Sequence, residues 1–238
     1  MNIVIPMAGH GRRFADSGHA EPKPLVMVKG RPLVWWAVQG LPEVPPDKMI
    51  FIVHTDHVRQ FGIEERLREI FSPQVRILAQ DLPPEGPAAT VLQAREWIGG
   101  DEPLLIHNCD THAPEIARCL RQVLCADPAL DGVIPVFRSQ DPDLSYVGVD
   151  SAGLATEVAE KVVISENASV GTYYFRRGMD FVAAAMAMIA AGRRVRGEFY
   201  VLPVYQDLIA QGRRFRIVSL DSVVVLGTPT GVMDFASR

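Results

Sequence analysis

Short apolar runs recur along the chain at residues 3–5, 49–53, 75–79, 103–107 and 131–137. Each is rich in Ile, Val, Leu or Phe and bounded by turn residues, which predicts buried β-strands. The stretches between them carry apolar residues at helical spacing. Pro32 opens a helix over 33–40, where its missing N–H is harmless. Residues 57–71 place Val58, Phe61, Ile63, Leu67, Ile70 and Phe71 roughly on one helical face. Pro87 opens a helix that runs through Val91, Leu92, Ala94 and Trp97, and 114–125 forms the next. Strands alternating with helices at this spacing predict βαβ units, an α/β chain with a mainly parallel sheet.

The texture changes at 138–175, where short alternating pieces (146–150, 155–163, 170–175) are separated by turn residues such as Ser151-Ala152-Gly153. Alternation of this kind predicts a small antiparallel insert across the open side of the sheet. A helix rich in alanine and methionine follows at 178–191. Residues 198–211 are extended and then helical, strands fall at 215–219 and 223–226, and Pro229 opens a terminal helix. With no internal repeat and no linker, residues 1–238 are expected to form one domain. Trp35 and Trp36 suit the core or a subunit contact, which leaves room for a homo-oligomer.

In an open parallel sheet, functional groups gather at the carboxyl ends of the strands. Three such ends carry chemistry here: the loop after 3–5, the loop 80–86, and His107-Asn108-Cys109-Asp110. The first loop reads Met7-Ala8-Gly9-His10-Gly11-Arg12-Arg13, with Pro22-Lys23-Pro24-Leu25 beyond it. Little bulk at Ala8, Gly9 and Gly11 lets backbone N–H groups approach phosphate oxygens. Arg13 offers a planar fork of donors, and Lys23, ten residues further on, a point charge. The loop is not G-x-x-x-x-G-K-[ST], and it lacks the third glycine of G-x-G-x-x-G.

Strand, Gly-x-Gly-x-Arg and then Pro-Lys-x-Leu, here Gly9, Gly11, Arg13, Pro22, Lys23 and Leu25, resembles the signature of the sugar nucleotidyltransferases (nucleoside-diphosphate-sugar pyrophosphorylases). The resemblance implies a GT-A-like Rossmann-type fold, three-layer αβα, with a mixed, mostly parallel sheet and the small antiparallel insert. It divides the domain into a nucleotide-binding core (1–137), an acceptor-binding insert or lid (138–200) and a stretch that completes the core (201–238). It implies that Arg13 and Lys23 bind the triphosphate of an NTP and offset charge as pyrophosphate leaves. Ala8, Gly9, Gly11, Gln80 and Gly86 would complete the nucleotide site, with Gln80 and Gly86 reading the base. Asp110 would hold Mg²⁺ at the phosphates and, with Arg13 and Lys23, make up the catalytic set. Read without the resemblance, Asp110 is either a hard-oxygen metal ligand or, with Thr111, the cap of the following helix. Glu160 and Lys161 resemble the Glu-Lys pair that meets the second substrate, and Asn167 and Gly171 belong to the segment that wraps it.

One position departs from that pattern. Many members of the family carry a second metal-binding aspartate two residues before Gly-Thr-Pro, and here Val225 precedes Gly227-Thr228-Pro229. Asp221 and Glu198 are the alternative carboxylates. The expected reaction is transfer of NMP from CTP, dTTP or UTP onto a phosphorylated sugar or similar small polar metabolite. That is the chemistry of the small bacterial enzymes of surface-polysaccharide pathways. A GT-A glycosyltransferase and a non-catalytic nucleotide-binding regulator are the alternatives.

Composition narrows the partners. A formal charge of −4 without a basic run argues against nucleic acid. No apolar run reaches membrane-spanning length, and the N-terminus lacks the pattern of a signal peptide. Cys109, Cys119 and Cys125 have neither metal nor disulfide spacing and read as reduced core residues of a cytoplasmic protein. The six histidines, His10 in the first loop among them, show no triad or metal spacing.

Overall fold

The computed structural model describes residues 1–81 and 85–237. Its frame is a sheet of ten strands. These are β1 (Asn2–Pro6), β2 (Met49–His54), β3 (Arg76–Gln80), β4 (Leu104–His107), β5 (Gly132–Arg138), β6 (Ser145–Val149), β7 (Ala155–Glu160), β8 (Asn167–Ser169), β9 (Thr172–Phe175) and β10 (Phe215–Ser219). The order across the sheet is β7-β6-β8-β5-β9-β4-β1-β2-β3, with β10 on β5. Strand β1 pairs in parallel with β2 and β4, β2 with β3, and β10 with β5.

The apolar runs became strands because both faces of the sheet are covered. Alternate residues of one run enter different cores: Val4, Ile50, Ile52, Leu104 and Ile106 pack on one side, and Ile3, Ile5, Phe51, Val53 and Leu105 on the other. The two sets give the mixed α/β sandwich expected of the chain. Helix Gly178–Ala190 covers the first side, with Phe181, Ala184, Ala185 and Met188 against the sheet. Helix Ile116–Ala126 covers the other. A third small core joins Phe14, Leu33 and Leu226 to Val232 and Phe235 of the last helix, Pro229–Ser237. It ties the C-terminus to the first loop.

Several boundaries differ from the expectation. The single helix expected over 57–71 is two, Thr55–Phe61 and Ile63–Ile70, because the chain turns at Gly62. The helix from Pro87 stops at Leu92 and resumes at Arg95–Ile98. The helix after Pro32 ends at Val38, and the one expected from residue 114 begins at Ile116. The antiparallel strands β6 to β9 do not stand apart: β8 and β9 hydrogen-bond to β5, and β9 also to β4. They continue the main sheet past the loop ends. Cys125 is exposed, unlike the buried Cys109 and Cys119. Among the described residues no helix is long and apolar enough to cross a membrane.

Candidate functional site

The first loop leaves β1 and turns at Gly11, which adopts φ 61° and ψ 34° at the start of the short helix Arg12–Asp16. A Cβ at Gly11 would stand 3.1 Å from the Cβ of Lys23. The position needs glycine twice over, for its left-handed backbone and for the close approach of Lys23. Buried Phe14 anchors the helix, so Arg12 and Arg13 face outward into a cavity of about 630 Å³. Pro22 and Pro24 flank Lys23, which begins a 3₁₀ turn from Lys23 to Leu25 and is aimed into the same cavity.

On the cavity floor the Lys23 ammonium donates to Asp110 Oδ2 at 2.6 Å, and the two side chains are only 22% and 19% exposed. Burial disfavours both charges, but each holds the other. Burial would lower the lysine, yet Asp110 keeps it above the usual ammonium range. Burial would raise the aspartate, yet Lys23 keeps it below the usual carboxylate range. Asp110 caps no helix: Thr111–His112 is a short strand paired with Val224–Val225, and the next helix starts at Ile116.

His107 sets the position of Asp110. It is fully buried, Nδ1 lies 2.7 Å from Thr172 Oγ1, and Nε2 lies 2.9 Å from the Thr111 carbonyl. A carbonyl only accepts, so Nε2 carries the proton and Nδ1 accepts from the threonine hydroxyl. Burial pushes the imidazole down to about 4, so it is neutral at pH 7. The first bond ties β4 to β9, and the second closes the turn from His107 to Thr111 in which Asp110 sits. Only the fold reveals this, because Thr172 lies 65 positions away in the chain.

The second loop meets the segment before helix Val204–Ala210. Phe199 N–H donates to the Glu85 carbonyl at 2.7 Å, and Ala88 N–H donates to the Phe199 carbonyl at 3.0 Å. Gly86 lies between them with φ 111°, and a Cβ there would come within 2.4 Å of Phe199 O. Leu82, Pro83 and Pro84 of the expected 80–86 loop lie outside the described residues. Gly86 lines a smaller cavity of about 190 Å³ together with Ala8, Gly9, Gly11 and Lys23. Gln80, at the end of β3, lines neither cavity.

Glu160 and Lys161 reach the large cavity from the end of β7. The Glu160 carboxylate accepts from Ser145 Oγ at 2.6 Å and lies 3.6 Å from Lys161 Nζ. Burial pushes it above the usual carboxylate range, against the pull of those two partners. Lys161 Nζ donates to the Asp143 carbonyl and stands 5.5 Å from the Tyr200 ring centroid. Gly171 lines the cavity, and its carbonyl accepts from Asn108 N–H at 2.9 Å. Asn167 does not line it; its side-chain amide donates to the Val147 carbonyl.

The fold thus brings Gly11, Arg13, Lys23, Asp110, Glu160, Lys161 and Gly171 to one cavity, and leaves Gln80 and Asn167 outside it. It also adds Arg12, Asp141, Asp143, Ser145, Tyr173 and Tyr200, which no motif had singled out. Tyr200 is pushed up to about 12 by burial and then by the carboxylates of Glu198 and Glu160. Within these residues, three His, Cys, Asp or Glu side chains nowhere meet in a metal-binding group among the described residues. Val225 lines the cavity near Asp110 and offers no oxygen. Asp221 lies away from it, its backbone N–H on Glu115, whereas Glu198 lines both cavities. The donor set suits a cation held by one or two carboxylates and completed by phosphate oxygens, the usual arrangement for Mg²⁺.

Comparison with known proteins agrees with this geometry. A nucleoside-diphosphate-sugar pyrophosphorylase from Vibrio cholerae superposes with a TM-score of 0.84 at 26% identity, over 99% of this chain and 100% of the other. A putative glucose-1-phosphate thymidylyltransferase from Bacillus anthracis gives 0.75 at 16% identity, over 100% of this chain and 94% of the other. The inositol-1-phosphate CTP transferase from T. maritima gives 0.73 at 12% identity, over 99% and 94%. No curated protein sequence matches significantly. The family model of the MobA-like NTP transferase domain matches residues 3–161, from the first strand to Lys161. The chain therefore belongs to the MobA-like NTP transferase domain family and is a nucleotidyltransferase.

Proposed function

We propose that this nucleotidyltransferase moves NMP from a pyrimidine NTP (CTP, dTTP or UTP) onto a phosphorylated sugar or similar small polar metabolite, with Mg²⁺ and in the cytoplasm. The observation that carries the reading is the Lys23 ammonium fixed on Asp110 at the floor of a cavity that Arg12, Arg13 and Lys161 also line. A nonbridging oxygen of the acceptor phosphate forms a bond to the α-phosphorus. The bond from that phosphorus to the β-phosphate oxygen breaks, and its electron pair leaves with pyrophosphate. The nucleophile is already ionised at neutral pH, so no general base is required.

The chain's own residues supply position and charge. Arg13 and Lys23 hold the triphosphate and neutralise the charge that grows on the leaving pyrophosphate. Ala8 and Gly9 present backbone to the phosphates, and Gly86 presents backbone to the nucleoside in the smaller cavity. Lys161, oriented by Glu160 and the Asp143 carbonyl, holds the acceptor phosphate, and β6 to β9 form the acceptor wall. Mg²⁺ would be held by Asp110 together with phosphate oxygens and would supply further charge neutralisation. A matrix of NTPs against sugar 1-phosphates and other phosphorylated metabolites, read by pyrophosphate release, tests the proposal. Release dependent on both substrates supports it. Nucleotide binding without release across the matrix refutes it in favour of a regulatory role.

A further inference from the structure

The lining of the large cavity is unusual for a place that receives two anions. Five carboxylates (Asp110, Asp141, Asp143, Glu160 and Glu198) face four cations, Arg12, Arg13, Lys23 and Lys161. A phosphomonoester alone brings a charge of about −2 at neutral pH, and a triphosphate brings more.

Three of the carboxylates are already compensated. Lys23 holds Asp110 at 2.6 Å, Arg196 holds Asp143 at 2.9 Å, and Lys161 stands 3.6 Å from Glu160. Among the described residues, Asp141 and Glu198 have no cationic partner within the 4.0 Å of an ion pair. Neither belongs to the phosphate loop; both residues are exposed to the cavity, and Glu198 also borders the smaller one.

A second observation comes from the same wall. The Tyr200 ring already carries an ammonium, that of Lys161, at 5.5 Å from its centroid. The face of a tyrosine attracts cations through its quadrupole. Tyr200 sits two residues from Glu198, and both line the cavity.

Resting on the nucleotidyl-transfer reading above, we infer that the acceptor is a phosphomonoester that also carries a protonated amine, its phosphate toward Lys161 and its ammonium toward Glu198 and Tyr200. Such a molecule answers both halves of the cavity. Its phosphate meets the cations, and its amine neutralises carboxylates that would repel an acceptor bearing only negative charge. The same wall discriminates against a second phosphate or a carboxylate at that end of the acceptor.

The test is a set of matched acceptor pairs differing only in the amine. Glucosamine 1-phosphate is paired with N-acetylglucosamine 1-phosphate, and phosphoethanolamine with its N-acetyl derivative. Pyrophosphate release is followed with each of CTP, UTP and dTTP. A cation between one carboxylate and one tyrosine face favours the amine member of at least one pair by about tenfold in kcat/KM. Glu198→Gln and, separately, Asp141→Asn are assayed on the same pair. A fall in the amine-to-neutral ratio in either variant supports the inference, and a ratio unchanged in both overturns it. The ratio is internal to each variant, so partial unfolding does not disturb it. Equal or better turnover of every neutral member also overturns the inference and leaves nucleotidyl transfer standing. No release from any pair, or from any acceptor in the wider matrix, overturns both.

Discussion

Gly86→Ala tests whether the second loop is welded to the segment around Phe199 that lines both cavities. The backbone at Gly86, with φ 111° and ψ 165°, lies in a region that is in practice open only to glycine. Imposing a side chain there costs about 1–3 kcal/mol. Its Cβ would also stand 2.4 to 2.5 Å from the Phe199 carbonyl oxygen and nitrogen, so backbone must move. The two bonds at stake are Phe199 N to Glu85 O at 2.7 Å and Ala88 N to Phe199 O at 3.0 Å. At about 0.5–1.5 kcal/mol each they add about 1–3 kcal/mol. The expected loss is about 2–6 kcal/mol by urea unfolding, or a Tm lower by at least ~4 °C for a chain of this size. Glu198 and Tyr200 flank Phe199 in the chain, so KM for NTP and KM for the acceptor should rise together. Gly9→Ala is the control: a Cβ at Gly9 meets nothing within 4 Å. That variant should stay within ~0.5 kcal/mol of wild type, while its KM for NTP rises as the new methyl blocks the phosphates. A Gly86→Ala protein as stable as wild type would refute the weld, and an unchanged NTP KM in Gly9→Ala would refute the cradle.

Three further outcomes are expected. Lys23→Ala should cut kcat by about 10²–10³ and, by leaving Asp110 unpaired in a mostly buried site, cost about 3 kcal/mol; near-wild-type turnover would remove Lys23 from the chemistry. Asp110→Asn should weaken the response of the rate to Mg²⁺, and an identical metal titration would show that Asp110 serves only to hold Lys23. Titration of His107, followed by NMR, should show a neutral ring down to about pH 4. Its folded value lies below the unfolded value of about 6.5, so stability is full above about pH 6.5 and falls as pH drops toward 4. A His107 midpoint near 6.5 would contradict the buried bonds to Thr172 and Thr111.

In the pair of Lys23 and Asp110, the aspartate adds to the same acid limb and the lysine to the alkaline one. Asp110 is held below its unfolded value, so its contribution is present above about pH 4 and is lost as pH falls through the folded value. Lys23 is held above its unfolded value, so its contribution is present below about pH 10 and is lost as pH rises through the folded value.

Local chemistry made much of this protein legible in its sequence. The runs at 3–5, 49–53 and 103–107 read as strands buried on both faces, because they are short, rich in β-formers and leave no polar side for water. The loop glycines and the spacing from Arg13 to Lys23 marked a candidate phosphate site, because backbone freedom and fixed charge are local properties, and the fold brings Gly11, Arg13 and Lys23 to one cavity. Residue identity at Val225 likewise marked, before any coordinates, where the chain departs from the pattern of the family it resembles. Other features depended on contacts across long separations. Gly62 divides a helix that periodicity joined, since a glycine turn leaves the apolar face intact. Gln80 and Asn167 matched a motif by order, but Gln80 lies at the end of β3 and lines neither cavity, and the Asn167 amide is spent on Val147. The binding of His107 to Thr172, of Gly86 to Phe199 and of Lys23 to Asp110 depends on which strands lie side by side. So does the acidic wall of Asp141 and Glu198, which are far apart in the chain. Pairwise packing sets those neighbours, and one-dimensional spacing carries no record of them.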